Sequence, residues 1–200
     1  MGNRRIGRKR LYGVEKAGQK IDLESGAGIK DCIKSATQHR QGQEIITEIL
    51  VDLGSSLHGG TVISSGTGAN GDRSPIGVTA TECFLTRLTA AKFGTVTEIR
   101  VVCLEATECG SANVGVSIET ADNADGRSAS GGGGTAPTGN TAERVADINA
   151  LGEDTSSASL DNAALNQYLY ITQNANDTSA AWTGGKLAIY IHGFEAPSDL

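Results

Sequence analysis

The chain has few aromatic residues and no long apolar run. Only 4% of its 200 residues are Phe, Trp or Tyr, whereas Gly alone occurs 27 times. No stretch approaches the roughly 18 consecutive apolar residues of a membrane-spanning helix, so we expect no membrane partner. So few large apolar side chains favour a thin β-sandwich, in which each strand buries one face and glycines supply the turns. A core of this kind often gains stability by oligomerising or by binding a larger scaffold.

Signals for export and lipid attachment are also missing. The opening contains the pair Arg4-Arg5, but the apolar stretch of a signal peptide does not follow it. Gly2 would suit N-myristoylation, yet Ile6 stands where that motif requires Ser or Thr. We therefore expect the protein to be assembled in the cytoplasm of the cell that makes it.

No nucleotide or calcium site is predicted from the glycine-rich and acidic loops. Gly66 to Gly71 satisfies the pattern G-x-G-x-x-G, but Pro75 would break the helix that a dinucleotide motif must open. Asp122 to Gly126 is similar to a calcium loop but lacks the regular oxygen spacing and the final Glu. We expect a glycine-rich loop and a hydrated turn, and no cofactor.

Catalytic and metal-binding arrangements are missing as well. His39, His58 and His192 have no Cys or carboxylate at a ligand or catalytic spacing, and no Gly-x-Ser-x-Gly sequence supplies a nucleophile. The four cysteines do not have zinc-site spacing, and we expect them to be reduced and structural. They are Cys32, Cys83, Cys103 and Cys109. The chain is therefore predicted to be neither an enzyme nor a metalloprotein.

Charge divides the chain into a basic arm and an acidic body. Residues 1–40 contain ten basic and four acidic residues, a net charge of +6, whereas residues 41–200 contain seven and nineteen, a net charge of −12. We predict an extended arm over 1–40 and a β-sandwich body over 41–200. Such an arm usually docks on an acidic partner, which could be nucleic acid, an anionic membrane or an acidic protein surface.

The cationic residues of the arm are the candidate partner-binding residues. They are Arg4, Arg5, Arg8, Lys9, Arg10, Lys16 and Lys20. Their charges would bind phosphate by counterion release or would bind a carboxylate-rich protein groove, and a solvated tail is the third interpretation. The cluster has no interleaved Phe or Trp on which bases could stack, and the acidic body opposes close approach to DNA, so nucleic acid is the weaker candidate.

Alternating apolar residues predict about seven to eight strands in an all-β, antiparallel, jelly-roll-like sandwich or open barrel. The first clear strand is Ile45 to Leu53. The strongest pair is Cys83 to Ala91 with Thr95 to Ala106, which is predicted to form a hairpin through Lys92-Phe93-Gly94. Residues 141–151 fit a short helix or an edge strand equally badly, and residues 122–140 predict a flexible loop. The other predicted strands are Thr61 to Ser64, a run around Val114 to Ile118, Gln167 to Thr172 and Lys186 to Phe194.

Four segments carry a resemblance to a known family. Thr86 to Ala106, Gln167 to Thr172, Trp182 to Gly193 and the basic opening Asn3 to Tyr12 resemble small virion structural proteins of marine tailed phages, of the podovirus type. The resemblance covers the pattern of most of residues 45–194. It implies a capsid decoration, or cement, protein without enzymatic activity, which binds the outer surface of the virion shell. Such proteins are β-rich and commonly trimeric, and some lay an N-terminal arm across subunit junctions.

The resemblance thus implies two partners, the major capsid protein and further copies of this chain in a homotrimer. Two alternatives stay open at this point. A tail or head-fibre component that contacts the host would be present in few copies at one vertex. A nucleic-acid packaging protein would bind with an affinity that falls steeply with salt.

Overall fold

The computed structural model of the protein describes residues 18–54, 75–78, 82–109, 112–113, 115–121, 124, 143–148, 154–156, 166–173 and 182–195. These residues form eleven β-strands, one 3-10 helix and one short α-helix. The first strands are β1 (Gln19–Lys20), β2 (Ile33–Gln41), β3 (Glu44–Asp52), β4 (Phe84–Arg87), β5 (Thr95–Cys109) and β6 (Ala112–Asn113). They are followed by β7 (Val116–Ala121), β8 (Glu143–Ile148), β9 (Asp154–Ser156), β10 (Tyr168–Gln173) and β11 (Trp182–Phe194). The 3-10 helix covers Lys30–Cys32, and the helix α1 covers Ala90–Phe93.

The strands form two antiparallel sheets that pack as a sandwich. The larger sheet has seven strands in the order β1-β2-β3-β11-β5-β6, with β9 also paired to β5, and the smaller has the order β4-β10-β7-β8. The predicted all-β, antiparallel sandwich is confirmed. Eight strands have four residues or more, as predicted, whereas β1, β6 and β9 have two or three and are too short to give an alternating pattern.

The core lies between the sheets because the central strands alternate strictly. Every second residue of β3, from Ile45 to Val51, is buried, and the residues between them are partly exposed. Ile189 of β11 lies opposite Ile49 of β3 on one side and Val101 of β5 on the other. Burying one such side chain fully stabilises the fold by about 1.5–3 kcal/mol. The predicted strands at Ile45, Thr95, Gln167 and Lys186 are thereby confirmed.

The predicted hairpin between β4 and β5 is wrong. β4 pairs with β10 in the smaller sheet, whereas β5 pairs with β11 in the larger one. The residues between them form α1, whose Phe93 is fully buried and whose last turn ends when Gly94 N donates to Ala90 O. Burial of Phe93 therefore makes this connection a crossing between sheets, and the strand predicted up to Ala91 ends at Arg87.

The predicted boundary of the basic arm is also corrected. Residues 19–41 belong to the folded body, since β2 pairs along most of β3 and β1 pairs with β2. Leu23, Ile29 and Cys32 lie in the core. Three apolar residues bury their side chains here despite the surrounding charge and glycine, so residues 18–40 are not an extended arm. Residues 1–17 lie outside the described residues.

The smaller sheet resolves the ambiguous region. Residues 143–148 form β8, which pairs with β7 at the edge of this sheet, so the edge-strand alternative is the correct one. The run around Val116 forms β7. The predicted strand Thr61 to Ser64 and all but Ala124 of the loop at 122–140 lie outside the described residues.

Candidate functional site

Only one of the seven predicted partner-binding residues lies in the described part of the chain. Lys20 is exposed in β1, where it lies opposite Thr37 of β2. The other six, from Arg4 to Lys16, lie outside it. The structure therefore shows where the cationic segment joins the body. We call residues 1–17 the N-terminal segment and residues 18–32 the root segment.

The root segment is hydrogen bonded to both sheets. On the side of the larger sheet, Ile21 N donates to Ala36 O at 3.0 Å, which extends the short pairing of β1 with β2. On the side of the smaller sheet, Thr86 Oγ1 donates to Leu23 O at 2.8 Å inside the protein. The root segment thus closes one edge of the sandwich.

Further bonds run from the root segment to the start of β4. Gly26 N donates to Phe84 O at 3.0 Å, and Gly28 N donates to Glu82 O at 2.7 Å. The hydroxyl of Ser25 donates to the carbonyl oxygen of Leu85. Buried backbone groups need partners of this kind, because an unpaired one costs about as much as a lost hydrogen bond. The N-terminal segment is therefore attached to a firmly held part of the fold.

A groove of about 250 Å³ runs beside the root segment and the start of β2. Its charged residues carry both signs. Lys34 Nζ donates to the backbone oxygen of Asp31 at 3.2 Å, and Lys92 forms an ion pair with Glu24 at 3.0 Å. Opposite charges near one another leave no single-sign field, so the groove does not select an anion or a cation. The charged lining residues are Lys20, Asp22, Glu24, Lys30 and Lys34.

The face of the larger sheet that points away from the smaller sheet carries a different pattern, and we call it the outer face. On its three central strands β3, β11 and β5 it presents more acidic than basic side chains. Its carboxylates include Glu44, Glu48, Asp52, Glu98 and Glu105, and its cations include Arg100 and Lys186. These seven residues have a net charge of −3. The alternating sequence of β3 predicts that Glu48 and Asp52 lie on its exposed side. It does not predict that β11 brings β3 and β5 into one sheet and so places the acids of both strands on one face.

Several of these charges are paired across strands. Lys186 donates to Glu105, and this hydrogen bond lowers the pKa of the carboxyl and raises that of the ammonium group. Tyr190 Oη donates to Glu48 Oε1 at 3.3 Å, and the guanidinium of Arg100 lies 5.9 Å from the centre of the Tyr190 ring. Exposed pairs of this kind contribute little stability, so their effect is mainly on the charge that the face presents.

Apolar side chains lie between the charged rows of the outer face. Among the described residues, the exposed large hydrophobic side chains are Leu104 of β5 and Phe194 of β11, at 50% and 46%. Ile46 and Leu50 of β3 are partly exposed on the same side. A surface of acidic rows and apolar patches can bind an extended cationic segment that also carries apolar side chains.

Chemistry-bearing side chains do not gather into a centre within the described residues. No group of three or more His, Cys, Asp or Glu there could hold a metal ion. His39 is exposed, and His192 Nδ1 lies 3.6 Å from Glu44 Oε1. Three further predictions concern residues outside the described part of the chain. They are those for His58, for the loop from Gly66 to Gly71, and for the loop from Asp122 to Gly126, of which only Ala124 is described.

Three of the four cysteines are seen as buried, free thiols, namely Cys32, Cys83 and Cys103. Burial raises the pKa of Cys32 from 9.0 to about 12; Lys34 nearby opposes this shift, and Asp31 and Asp52 add smaller contributions to it. A thiol with so high a pKa is inert at neutral pH, because the thiolate is the reactive form. Among the helices in the described residues, none is long and apolar enough to cross a membrane.

No family model, no curated protein and no solved structure matches this chain.

Proposed function

We propose that the protein is a capsid decoration, or cement, protein of a tailed phage. It binds the outside of the shell built by the major capsid protein, and it does so without enzymatic activity. The cationic residues from Arg4 to Lys20 hold it on acidic shell surface, and the β-sandwich packs with two further copies around a symmetry axis.

The observation that carries this proposal is the bonding of the root segment to both sheets. A segment that binds the shell can hold the protein there only if it is firmly attached to the folded body. Ile21 is hydrogen bonded to β2. Leu23 and Gly26 are hydrogen bonded to β4, and Gly28 is hydrogen bonded to Glu82, just before β4. A pull on the N-terminal segment would therefore be shared by both layers of the sandwich. A solubilising tail requires no such attachment.

Charge supports a protein partner over nucleic acid. The part of the chain after residue 40 has a net charge of −12, and the outer face adds a local excess of carboxylates. A phosphate backbone is negative along its whole length and therefore repels such a body. A protein shell can bind it if the shell is acidic only at the place where the cationic residues dock. The family resemblance of the strand segments points in the same direction.

Binding to shells that lack the protein tests the proposal. We would compare the full chain with the variant R4Q/R5Q/R8Q/K9Q/R10Q by co-sedimentation with shells of the major capsid protein of the same phage. If each of the five lost contacts contributes about 0.2–1 kcal/mol, the dissociation constant should rise about fivefold or more. Lys20→Gln should weaken binding by a smaller factor.

The matched control is K30Q/K34Q, which removes two cations from the body but none from the N-terminal segment. It should bind like the unaltered chain. Undiminished binding of the five-residue variant would remove the N-terminal segment from the mechanism. Failure of the unaltered chain to bind shells, together with salt-sensitive binding to DNA, would replace the proposal with a packaging role.

A further inference from the structure

The described part of the chain begins beside the outer face. At Gly18, where the N-terminal segment joins the body, a Cβ would lie only 2.5 Å from Nε2 of His39. His39 lies opposite Ile46, Ile46 opposite His192, and His192 opposite Glu98. One row of side chains on the outer face therefore runs from the vicinity of Gly18, the first described residue, across β3 and β11 to β5.

We propose that residues 4–16 of the N-terminal segment dock on the outer face of the same molecule, across β3, β11 and β5. This docking is proposed for the free protein and does not depend on a role in a capsid; on a shell, the same residues would leave the outer face and contact the shell instead.

Charge is the first argument. Residues 1–17 carry six basic residues and one acidic residue, a net charge of +5, whereas the seven charged residues of the outer face named above sum to −3. Complementary charge of this size favours association and weakens with salt. A second copy of the outer face would bring like charges together, so the face itself is a poor partner for another face.

Reach is the second argument. The thirteen residues from 4 to 16 can span up to about 40 Å when extended. The distance from β2 across β3 and β11 to β5 is about 14 Å, at the usual spacing between neighbouring strands. A segment tethered so close to its site has an effective concentration in the millimolar range, which a free partner must exceed.

The apolar residues are the third argument. The N-terminal segment carries Ile6, Leu11 and Tyr12 between its cations, and the outer face carries exposed Leu104 and Phe194 between its acids. A purely electrostatic surface would need no such alternation. The shared pattern favours a segment that lies along the face.

Zero-length carbodiimide coupling of the full chain tests this proposal. The reagent joins a lysine amine to a carboxylate only where the two touch, and Lys9 and Lys16 supply amines in the segment. In dilute protein at low salt, we expect peptide mapping of the monomer band to show Lys9 or Lys16 joined to Glu48, Glu98 or Glu105. The yield should fall at least threefold in 0.5 M NaCl.

Matched variants test whether the coupling is specific to the outer face. E48Q/E98Q should reduce the remaining coupling of the segment severalfold, whereas D31N/E82Q, which removes two exposed carboxylates from outside the outer face, should not. Coupling spread evenly over all exposed carboxylates, coupling found only in dimers, or no coupling of Lys9 and Lys16 would each overturn the proposal. Coupling only in dimers would place the segment on a neighbouring molecule instead.

Discussion

The hydroxyl of Thr86 in β4 donates a 2.8 Å hydrogen bond to the carbonyl oxygen of Leu23 in the root segment. Thr86 is fully buried and Leu23 nearly so. The bond therefore joins, inside the core, the edge strand of the smaller sheet and a segment that charge alone would assign to an arm. Neither partner can turn to water if the other is lost.

Replacing Thr86 by Val should destabilise the fold by about 1–3 kcal/mol, because the shape is kept while the Leu23 carbonyl is left buried without its donor. Urea unfolding followed by circular dichroism measures the change. Thr97→Val is the control, since Thr97 is exposed and its bond to His192 O is long at 3.4 Å; it should stay within about 0.5 kcal/mol. Equal stability of both variants would show that the bond does not hold the root segment.

Gly94 should not tolerate a side chain. Its φ is +67°, and a Cβ would lie 2.3 Å from the carbonyl oxygen of Phe194. Gly94→Ala should cost more than the roughly 1–3 kcal/mol expected from backbone strain alone, because β11 must also move. Gly42→Ala is a matched control, since Gly42 has a φ of +64° but nothing within 4 Å of a Cβ. The same loss of thermal stability in both variants would contradict the close packing of α1 against β11.

Cys32 should make the fold sensitive to alkali. Its pKa is about 12 in the folded protein against 9.0 without burial, so the unfolded chain binds fewer protons between these values and stability falls as pH rises. The loss is about 1.4 kcal/mol for each pH unit above 9. Urea unfolding of the unaltered chain and of Cys32→Ala, at pH 8 and pH 10, checks this.

The Cys32→Ala variant should be less stable at pH 8 but should lose less stability on going to pH 10. Parallel losses in the two proteins would show that Cys32 does not titrate in this range. Iodoacetamide labelling at pH 8 gives a second readout, because Cys32 should react only after unfolding.

The family resemblance implies a homotrimer, and this expectation is measured separately. Light scattering coupled to size-exclusion chromatography should give three times the mass of one chain, in the absence of shells. A monomer mass at micromolar concentration would show that the body does not form a trimer before it binds.

The long strands could be predicted from sequence because each is half buried and alternates for many residues. β3 and β11 are of this kind, and their register places Ile49 against Ile189. Strands of two or three residues, such as β1, carry too few positions for any periodicity. Their pairing is fixed by neighbours that are distant in sequence.

The wrong predictions have identifiable physical reasons. Gly94 between two apolar runs favoured a hairpin, but Phe93 is buried in the core and redirects the chain to the other sheet. Charge and glycine favoured an arm up to residue 40, but Leu23, Ile29 and Cys32 are enough to fold the root segment into the core. The outer face was missed as a surface because its acids come from β3 and β5, which are joined only through β11.

The copy number of this chain relative to the major capsid protein in purified particles tests the central claim most directly. Quantitative mass spectrometry of intact virions gives the ratio. A decoration role predicts a fixed fraction of the shell subunits, set by the symmetry axis that the trimers occupy. A few copies per particle would contradict it in favour of a tail or head-fibre component, and absence from particles would remove the protein from the virion.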